Sequence, residues 1–138
     1  MTTMASLKTR LPLIQAAATL ATVERRDGEG RVRTVRVPGH EGLNLVILSR
    51  DGVTLIGECQ RDTGVGLVPC PGYNYGRVCY HLMAGAMVAV EKGGYRVIGW
   101  AATEREARRL RNLKQFKGCH LGRLVPKGGS DVVYFLWR

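Results

Sequence analysis

The stretch CQRDTGVGLVPCPGYNYGRVCYHLMA, residues 59–84, is the segment around which the rest of the chain is organised. It holds three cysteines and one histidine, which are Cys59, Cys70, Cys79 and His81. Three thiolates and one imidazole make a complete ligand set for one tetrahedral zinc ion. The sequence therefore predicts one structural Zn²⁺ ion, held by a segment embedded in a larger domain.

The spacing of the last two ligands predicts how the chain continues. Cys79 and His81 are two residues apart and would point to opposite sides of a regular helix. They reach one ion if Cys79 lies in the turn before a helix and His81 lies in its first turn. The apolar run LMAGAMVAV that follows predicts this helix, from His81 to about Lys92. Proline and glycines between Cys70 and Cys79 predict a knuckle loop.

The segment CPGYNYGRVCYHLMA, residues 70–84, resembles the second half of a SWIM-type zinc finger. The family pattern is Cys-x-Cys, often followed by Pro, then a short loop and a Cys-x-His pair that opens an apolar helix. Cys70 begins the match, and Cys79 and His81 complete it. The resemblance implies a zinc-binding knuckle, and SWIM-type fingers are associated with binding to DNA or to protein partners.

The chain departs from the SWIM pattern at the first ligand, because Val68 stands two residues before Cys70, where the family has cysteine. The resemblance then implies that Cys59 takes this place, with residues 60–69 as a widened loop. A second arrangement keeps the other three ligands and takes the fourth from Cys119 or His120.

Two further interpretations of the same residues remain open. Free cysteine is among the most buried residue types, so these cysteines are also compatible with a core role. A catalytic pair of Cys79 and His81 is a third interpretation, although neighbours this close seldom give the geometry between nucleophile and base.

Length and composition predict a single domain over residues 1–138 that can bury a core without a metal. Four cysteines are too few for a disulfide scaffold, and their grouping with a histidine predicts a reducing, cytoplasmic location. The apolar run LPLIQAAATLA at residues 11–21 is interrupted by Gln15 and is interpreted as a retained helix. No run approaches the length of a membrane span, so we expect no membrane association.

The predicted fold class is α+β. The first elements are an N-terminal helix over residues 6–26 and a three-stranded antiparallel meander from Arg31 to Cys59. The zinc knuckle leads into its helix, and a β-α-β unit follows. This unit consists of the strand YRVIGW, a helix from its N-cap at Thr103 to about Lys117, and the strand VVYFLW. His40, in the first turn of the meander, is expected to be solvated.

The net charge is +10, from 21 basic and 11 acidic residues. Residues 1–36 carry seven basic and three acidic side chains, residues 37–102 carry five of each, and residues 103–138 carry nine and three. The excess positive charge therefore lies at the two ends of the chain. Such a field attracts a polyanion.

The charge pattern predicts a nucleic-acid partner, DNA or RNA, bound mainly through its phosphate backbone. Helical periodicity places several basic residues on the exposed face of the helix that follows Thr103, and more follow along the chain. These residues are Arg105, Arg108, Arg109, Arg111, Lys114 and Lys117. Guanidinium groups bind phosphate oxygens with two parallel hydrogen bonds. The knuckle adds Arg77 and two tyrosines, Tyr73 and Tyr75, which could stack on unpaired bases or pack against the core.

Two other classes of function are alternatives to nucleic-acid binding. The first is an adaptor or inhibitor that docks on an acidic surface of a nucleic-acid enzyme, a role that also suits a compact basic protein. The second is an enzyme. The sequence has no phosphate-binding glycine loop, no clustered carboxylates and no nucleophile elbow, so we expect no catalytic activity.

Overall fold

A computed structural model describes residues 2–39 and 42–138 of the chain. Within these residues the helices are α1 Met4–Leu20, α2 Pro71–Asn74, α3 Tyr80–Lys92 and α4 Glu104–Arg111, followed by a short 3-10 helix, Lys114–Phe116. The strands are β1 Thr22–Arg26, β2 Val32–Gly39, β3 Gly42–Asp51, β4 Thr54–Asp62, β5 Leu67–Pro69, β6 Val97–Ala101, β7 His120–Pro126 and β8 Val133–Trp137. The fold is α+β, as the sequence predicted. His40 lies outside the described residues.

The described strands form one sheet in the order β1-β2-β3-β4-β7-β8-β6. The first four strands are an antiparallel meander. β4 then pairs in parallel with β7, and β7, β8 and β6 continue the sheet in antiparallel pairs. β5 pairs with the end of β4, on the same edge as β7, whereas β7 pairs with the beginning of β4.

The core lies between the sheet and the helices α1 and α3. The register aligns Val35, Val46 and Cys59 across three strands, and all three side chains are fully buried. α3 packs closely on this row, because a Cβ atom at Gly85 would lie 2.7 Å from a methyl group of Val46. Glycine at this position therefore lets the helix approach the sheet.

α4 covers the opposite face of the sheet at its β6–β8 end. Consecutive side chains of a strand point to opposite faces. Phe135 accordingly packs in the main core, whereas Tyr134 forms a second cluster with Ala101 and Ala107. The two helix layers therefore lie on different faces, and the basic helix α4 is separated from α3 by the sheet.

The first helix is shorter than expected. It ends at Leu20 instead of continuing to residue 26, and residues 22–26 form β1. Ala21 is already extended, with ψ of 151°. Pairing of β1 with β2 supplies backbone hydrogen bonds that a longer helix would have made within itself. This contact between segments decides the boundary.

The expected β-α-β unit has its strands and helix, with two corrections. The helix ends at Arg111 and not near Lys117, because Leu113 is extended and the chain then makes the 3-10 helix. β7, which was not predicted, lies between this helix and β8, and β8 pairs antiparallel with β6. Phe116 packs on β6, where its ring would lie 2.9 Å from a Cβ atom at Gly99.

None of the helices in the described part of the chain is long and apolar enough to cross a membrane.

Candidate metal centre

Three elements bring the predicted ligands together. Cys59 lies in β4 on the face that α3 covers. Cys70 follows β5, and Cys79 is the N-cap residue of α3, with His81 in the first turn of that helix. The predicted turn-then-helix arrangement is therefore present, and the helix begins at Tyr80, one residue earlier than expected.

The four ligand atoms form a tight group. One sulfur from each of the three cysteines and one ring nitrogen of His81 all lie within 4.8 Å of one another. Sulfur atoms bound at about 2.3 Å to one tetrahedral zinc lie about 3.8 Å apart. Two ligand atoms at the limit of 4.8 Å would therefore move closer by about 1 Å when they bind a zinc ion. These residues lie close enough to hold a metal ion.

A hairpin places Cys59 next to the other ligands. Residues 60–69 do not form an open loop throughout, because the end of β4 and the short strand β5 pair with each other. The amide of Cys70 donates a hydrogen bond of 3.1 Å to the carbonyl oxygen of Cys59. Cross-strand pairing therefore places Cys59 beside Cys70, although ten residues separate them in the sequence.

Neither Cys119 nor His120 belongs to the ligand group in the part of the chain that the structure describes. Cys119 is buried as a free thiol. The His120 ring lies 4.6 Å from that of Trp137, its cross-strand neighbour. The described arrangement is therefore the one with Cys59.

Asn44 is a functional candidate that the sequence analysis missed. Its amide nitrogen donates a 3.4 Å hydrogen bond to Cys59 Sγ and lies 3.5 Å from His81 Nδ1. Asn44 is only 4% exposed, in an otherwise apolar strand LNLVILS. A single amide in such a strand was the available signal, because a buried amide needs polar partners.

The ring of His81 supports a metal site. Its Nε2 atom is buried and has no hydrogen-bond partner within residues 2–39 and 42–138. Buried polar atoms are normally satisfied, and a coordinated ion would engage one nitrogen of this ring and fix a proton on the other. The three thiols beside it are soft donors that suit zinc.

The thiols also share protons. Hydrogen bonds with Cys59 and Cys79 hold the pKa of Cys70 well below its usual range. The hydrogen bond with Cys70 raises the pKa of Cys59. A hydrogen bond with Cys59 lowers the pKa of Cys79, but a bond with Cys70 and burial outweigh it and raise this pKa to about 12. Hydrogen bonds among the three thiols therefore couple their titration, and metal binding releases their protons.

The backbone before Cys79 is held from two sides. The amide of Val78 donates a 2.9 Å hydrogen bond to Asp131 Oδ2, and its carbonyl oxygen accepts one of 2.9 Å from Arg10 Nη1. Asp131 also accepts hydrogen bonds from the amide and hydroxyl of Thr2. The loop before β8 and helix α1 therefore position the segment that carries two ligands.

The residues predicted to contact nucleic acid are divided between two parts of the fold. In the knuckle, Tyr75 is 78% exposed and Arg77 is exposed, whereas Tyr73 is half-buried against the core and donates its hydroxyl to the carbonyl of Lys127. On α4, Arg108 is paired with Glu104. The other basic residues of this group are exposed: Arg105, Arg109, Arg111, Lys114 and Lys117.

Comparison with known proteins finds no family model, no curated protein and no solved structure that matches this chain. The likeness to a SWIM-type finger therefore stays a prediction that rests on residues 70–84.

Proposed function

We propose that this chain binds one structural zinc ion and binds nucleic acid mainly through the phosphate backbone. The observation that supports nucleic-acid binding is the surface formed by α4 and the following 3-10 helix. Five of its basic side chains are exposed and make no ion pair within residues 2–39 and 42–138; they are Arg105, Arg109, Arg111, Lys114 and Lys117. We call these five residues the α4 basic surface.

Zinc is supported by the donor set and by its compactness. Three thiols with one imidazole match the donors of structural zinc sites, whereas carboxylates and carbonyls suit magnesium or calcium. The four atoms within 4.8 Å of one another suit a single ion. A two-iron cluster would spread its ligands over two metal atoms.

The proposed role of the ion is structural and not catalytic. Four protein ligands complete a tetrahedron and leave no position for water or substrate. The three sulfurs belong to buried residues, with Cys79 the most exposed at 7%. The ion would join the end of β4, the β5 hairpin and the start of α3, which are otherwise connected by a glycine-rich loop and knuckle.

Metal content tests the zinc site. Protein purified without added metal is expected to contain one zinc per chain by elemental analysis. Cys59→Ala should lose it, whereas Cys119→Ala, which also removes a buried thiol, should retain it. Zinc that is absent from the wild type, or lost equally from both variants, would contradict the site.

Nucleic-acid binding is supported by positive charge that no nearby carboxylate among the described residues neutralises. Arg108 is neutralised by Glu104 at 2.8 Å, but the α4 basic surface lacks such partners within the described residues. Arginines bind phosphate with two hydrogen bonds, and each neutralised phosphate releases counterions to the solvent. Phosphate contacts carry no sequence information, so we propose contacts to the backbone without base readout.

The salt dependence of binding tests this surface. We expect Arg105→Gln with Arg109→Gln to flatten the slope of log K against log[salt] by about 2 for duplex DNA. Lys8→Gln with Arg25→Gln has the same net charge and changes two exposed residues of α1 and β1, so its slope should stay near the wild type. Equal changes in both pairs would indicate net charge alone and contradict this interface.

The same measurement on single-stranded DNA and RNA identifies the preferred nucleic acid. An acidic protein surface is the competing partner, and excess nucleic acid that fails to displace a captured protein would favour it. We also propose a reducing, cytoplasmic location, because three cysteines grouped with a histidine suit metal binding better than a disulfide scaffold.

A further inference from the structure

A cavity of about 580 Å³ opens at the end of α3, a whole helix length from the metal centre. Its walls come from the turn after β1, the turn between β3 and β4, and the last residues of α3. This volume lies in the range of small-molecule sites, roughly 300–1,000 Å³. None of its lining residues belongs to the metal centre or to the α4 basic surface.

The floor of the cavity is apolar. Leu48, Leu55, Val90 and Phe135 line it, and each of these residues is less than 9% exposed, as part of the main core. Trp137 closes one side with its ring edge-on to Tyr95, at 4.9 Å between the centroids. A ligand must therefore place an apolar body against this floor to gain from its burial.

The rim of the cavity is basic. Among the described residues that line the cavity, Asp27 is the only carboxylate, and it is already held by Arg31 and by the backbone amides of Glu29 and Arg31. Four other cations on the rim have no carboxylate partner in the described part of the chain: Arg26, Arg33, Arg50 and Lys92.

Two of the rim arginines are held in place by the backbone. Arg26 donates to the carbonyl of Gly30 at 2.8 Å, and Arg33 donates to the carbonyl of Leu48 at 2.6 Å. A carbonyl fixes the position of a guanidinium without neutralising it, so both keep their charge and several N–H groups for a ligand. The rim is therefore partly preorganised for an anion.

The C-terminal end of α3 does not remove the preference of the rim for an anion. A helix C-terminus carries partial negative charge on its last carbonyl groups. Here the carbonyl of Val90 accepts from the amides of Gly93 and Tyr95, and that of Glu91 accepts from Gly94. Lys92 in the last turn offsets the remaining charge.

We propose that this cavity binds a small amphiphilic anion, with an aliphatic body on the apolar floor and one carboxylate or phosphate group on the basic rim. A nucleotide fits less well, because the floor residues offer no side-chain donor or acceptor to the edge of a base. The site is independent of the metal and of nucleic-acid binding. Either of those proposals can fail without affecting it.

Calorimetric titration of the full, metal-loaded chain with monomeric dodecanoate tests the site at 150 mM salt. One dodecanoate per chain is expected, with much weaker binding of the neutral dodecanol. Arg50→Gln with Lys92→Gln should weaken dodecanoate binding at least about tenfold, because two of the four rim cations that are unpaired in the described part of the chain are lost. Arg105→Gln with Arg109→Gln removes the same charge elsewhere and should leave the affinity unchanged.

A second pair of variants tests the floor. Ala89 is half-buried and lines the cavity, so Ala89→Trp should fill it and abolish dodecanoate binding while the melting temperature is kept. Ala16→Trp places the same side chain on an exposed position of α1 and should bind as the wild type does.

Several outcomes would overturn the proposal. Equal affinity for dodecanol and dodecanoate would show that the rim does not select an anion. An equal loss of dodecanoate affinity in Arg50→Gln with Lys92→Gln and in Arg105→Gln with Arg109→Gln would show that dodecanoate binds elsewhere. Tighter binding of AMP than of dodecanoate would indicate a nucleotide site. Binding to anionic phospholipid vesicles without binding to monomeric dodecanoate would indicate a membrane surface, and binding of none of these probes would indicate an empty groove.

Discussion

The side-chain amide of Asn44 in β3 donates a hydrogen bond of 3.4 Å to Cys59 Sγ in the neighbouring strand β4. The same nitrogen lies 3.5 Å from His81 Nδ1, so one amide touches two members of the ligand group. Residues that hydrogen-bond to metal ligands orient them and tune their charge. Asn44 thereby ties the metal centre to the interior of the sheet.

Replacing Asn44 should weaken metal binding. Asn44→Ala removes the hydrogen-bond donor to Cys59 Sγ and is expected to lower zinc affinity about 10–100-fold. Competition with a chromophoric chelator measures the change.

Thr34→Val is the control for Asn44→Ala. Thr34 is also buried in the sheet, and its hydroxyl has no hydrogen-bond partner in the described part of the chain. Its loss should leave zinc affinity unchanged and stability equal or higher. An unchanged affinity in Asn44→Ala would show that the amide has only a packing role.

A methyl group at Gly39 should displace two side chains of the candidate metal centre. A Cβ atom there would lie 2.6 Å from Asn44 Oδ1 and 2.9 Å from His81 Nε2, so both side chains must move. Gly39→Ala is expected to reduce zinc affinity about tenfold or more, measured by the same competition. Gly66→Ala has nothing within 4 Å of its new atom and is the matched control. Equal affinities in the two variants would argue that the centre adapts freely.

Removal of the metal should loosen the protein without unfolding it. Val46, Leu82 and Met83 are fully buried in a core that contains the three ligand cysteines and extends well beyond them, to residues such as Leu7 and Leu124. A metal present at a thousand times its dissociation constant stabilises by about 4 kcal/mol, or about 10–20 °C in melting temperature for a chain of this size. Calorimetry with and without a strong chelator measures this shift. Loss of all secondary structure at 25 °C after chelation would contradict the prediction.

Asp131 should make stability depend on pH. Burial raises its pKa, but hydrogen bonds from the Val78 amide and from Thr2 outweigh this and lower it. A carboxylate with a lowered folded pKa contributes stability above the ordinary aspartate pKa and loses it as pH falls through the folded value. Asp131→Asn should therefore be less stable by about 1–3 kcal/mol at pH 7, and this difference should shrink in acid.

Urea unfolding of wild type and Asp131→Asn between pH 2.5 and 7 measures this difference. Asp51→Asn changes an exposed carboxylate at the end of β3, so its stability should follow the wild type throughout. A difference between wild type and Asp131→Asn that stays constant with pH would show that the carboxylate charge is not what stabilises the segment before Cys79.

The sequence was sufficient for features that depend on neighbouring residues. The spacing of Cys70, Cys79 and His81 and the apolar run after them predicted the knuckle and α3. Alternating apolar residues predicted the meander. Cys59 was named as the fourth ligand, although the hairpin that carries it beside Cys70 was not foreseen.

Sequence alone determined which chemical groups are available: three thiols, one imidazole, an apolar helix after them and an excess of basic residues. Tertiary structure decided the rest. β1, β5 and β7 form because another strand supplies their hydrogen bonds, and Asn44 reaches Cys59 only across paired strands. The cavity likewise exists only where two turns meet the end of α3. Such features depend on contacts between distant segments, and local preferences of a few residues carry no information about those contacts.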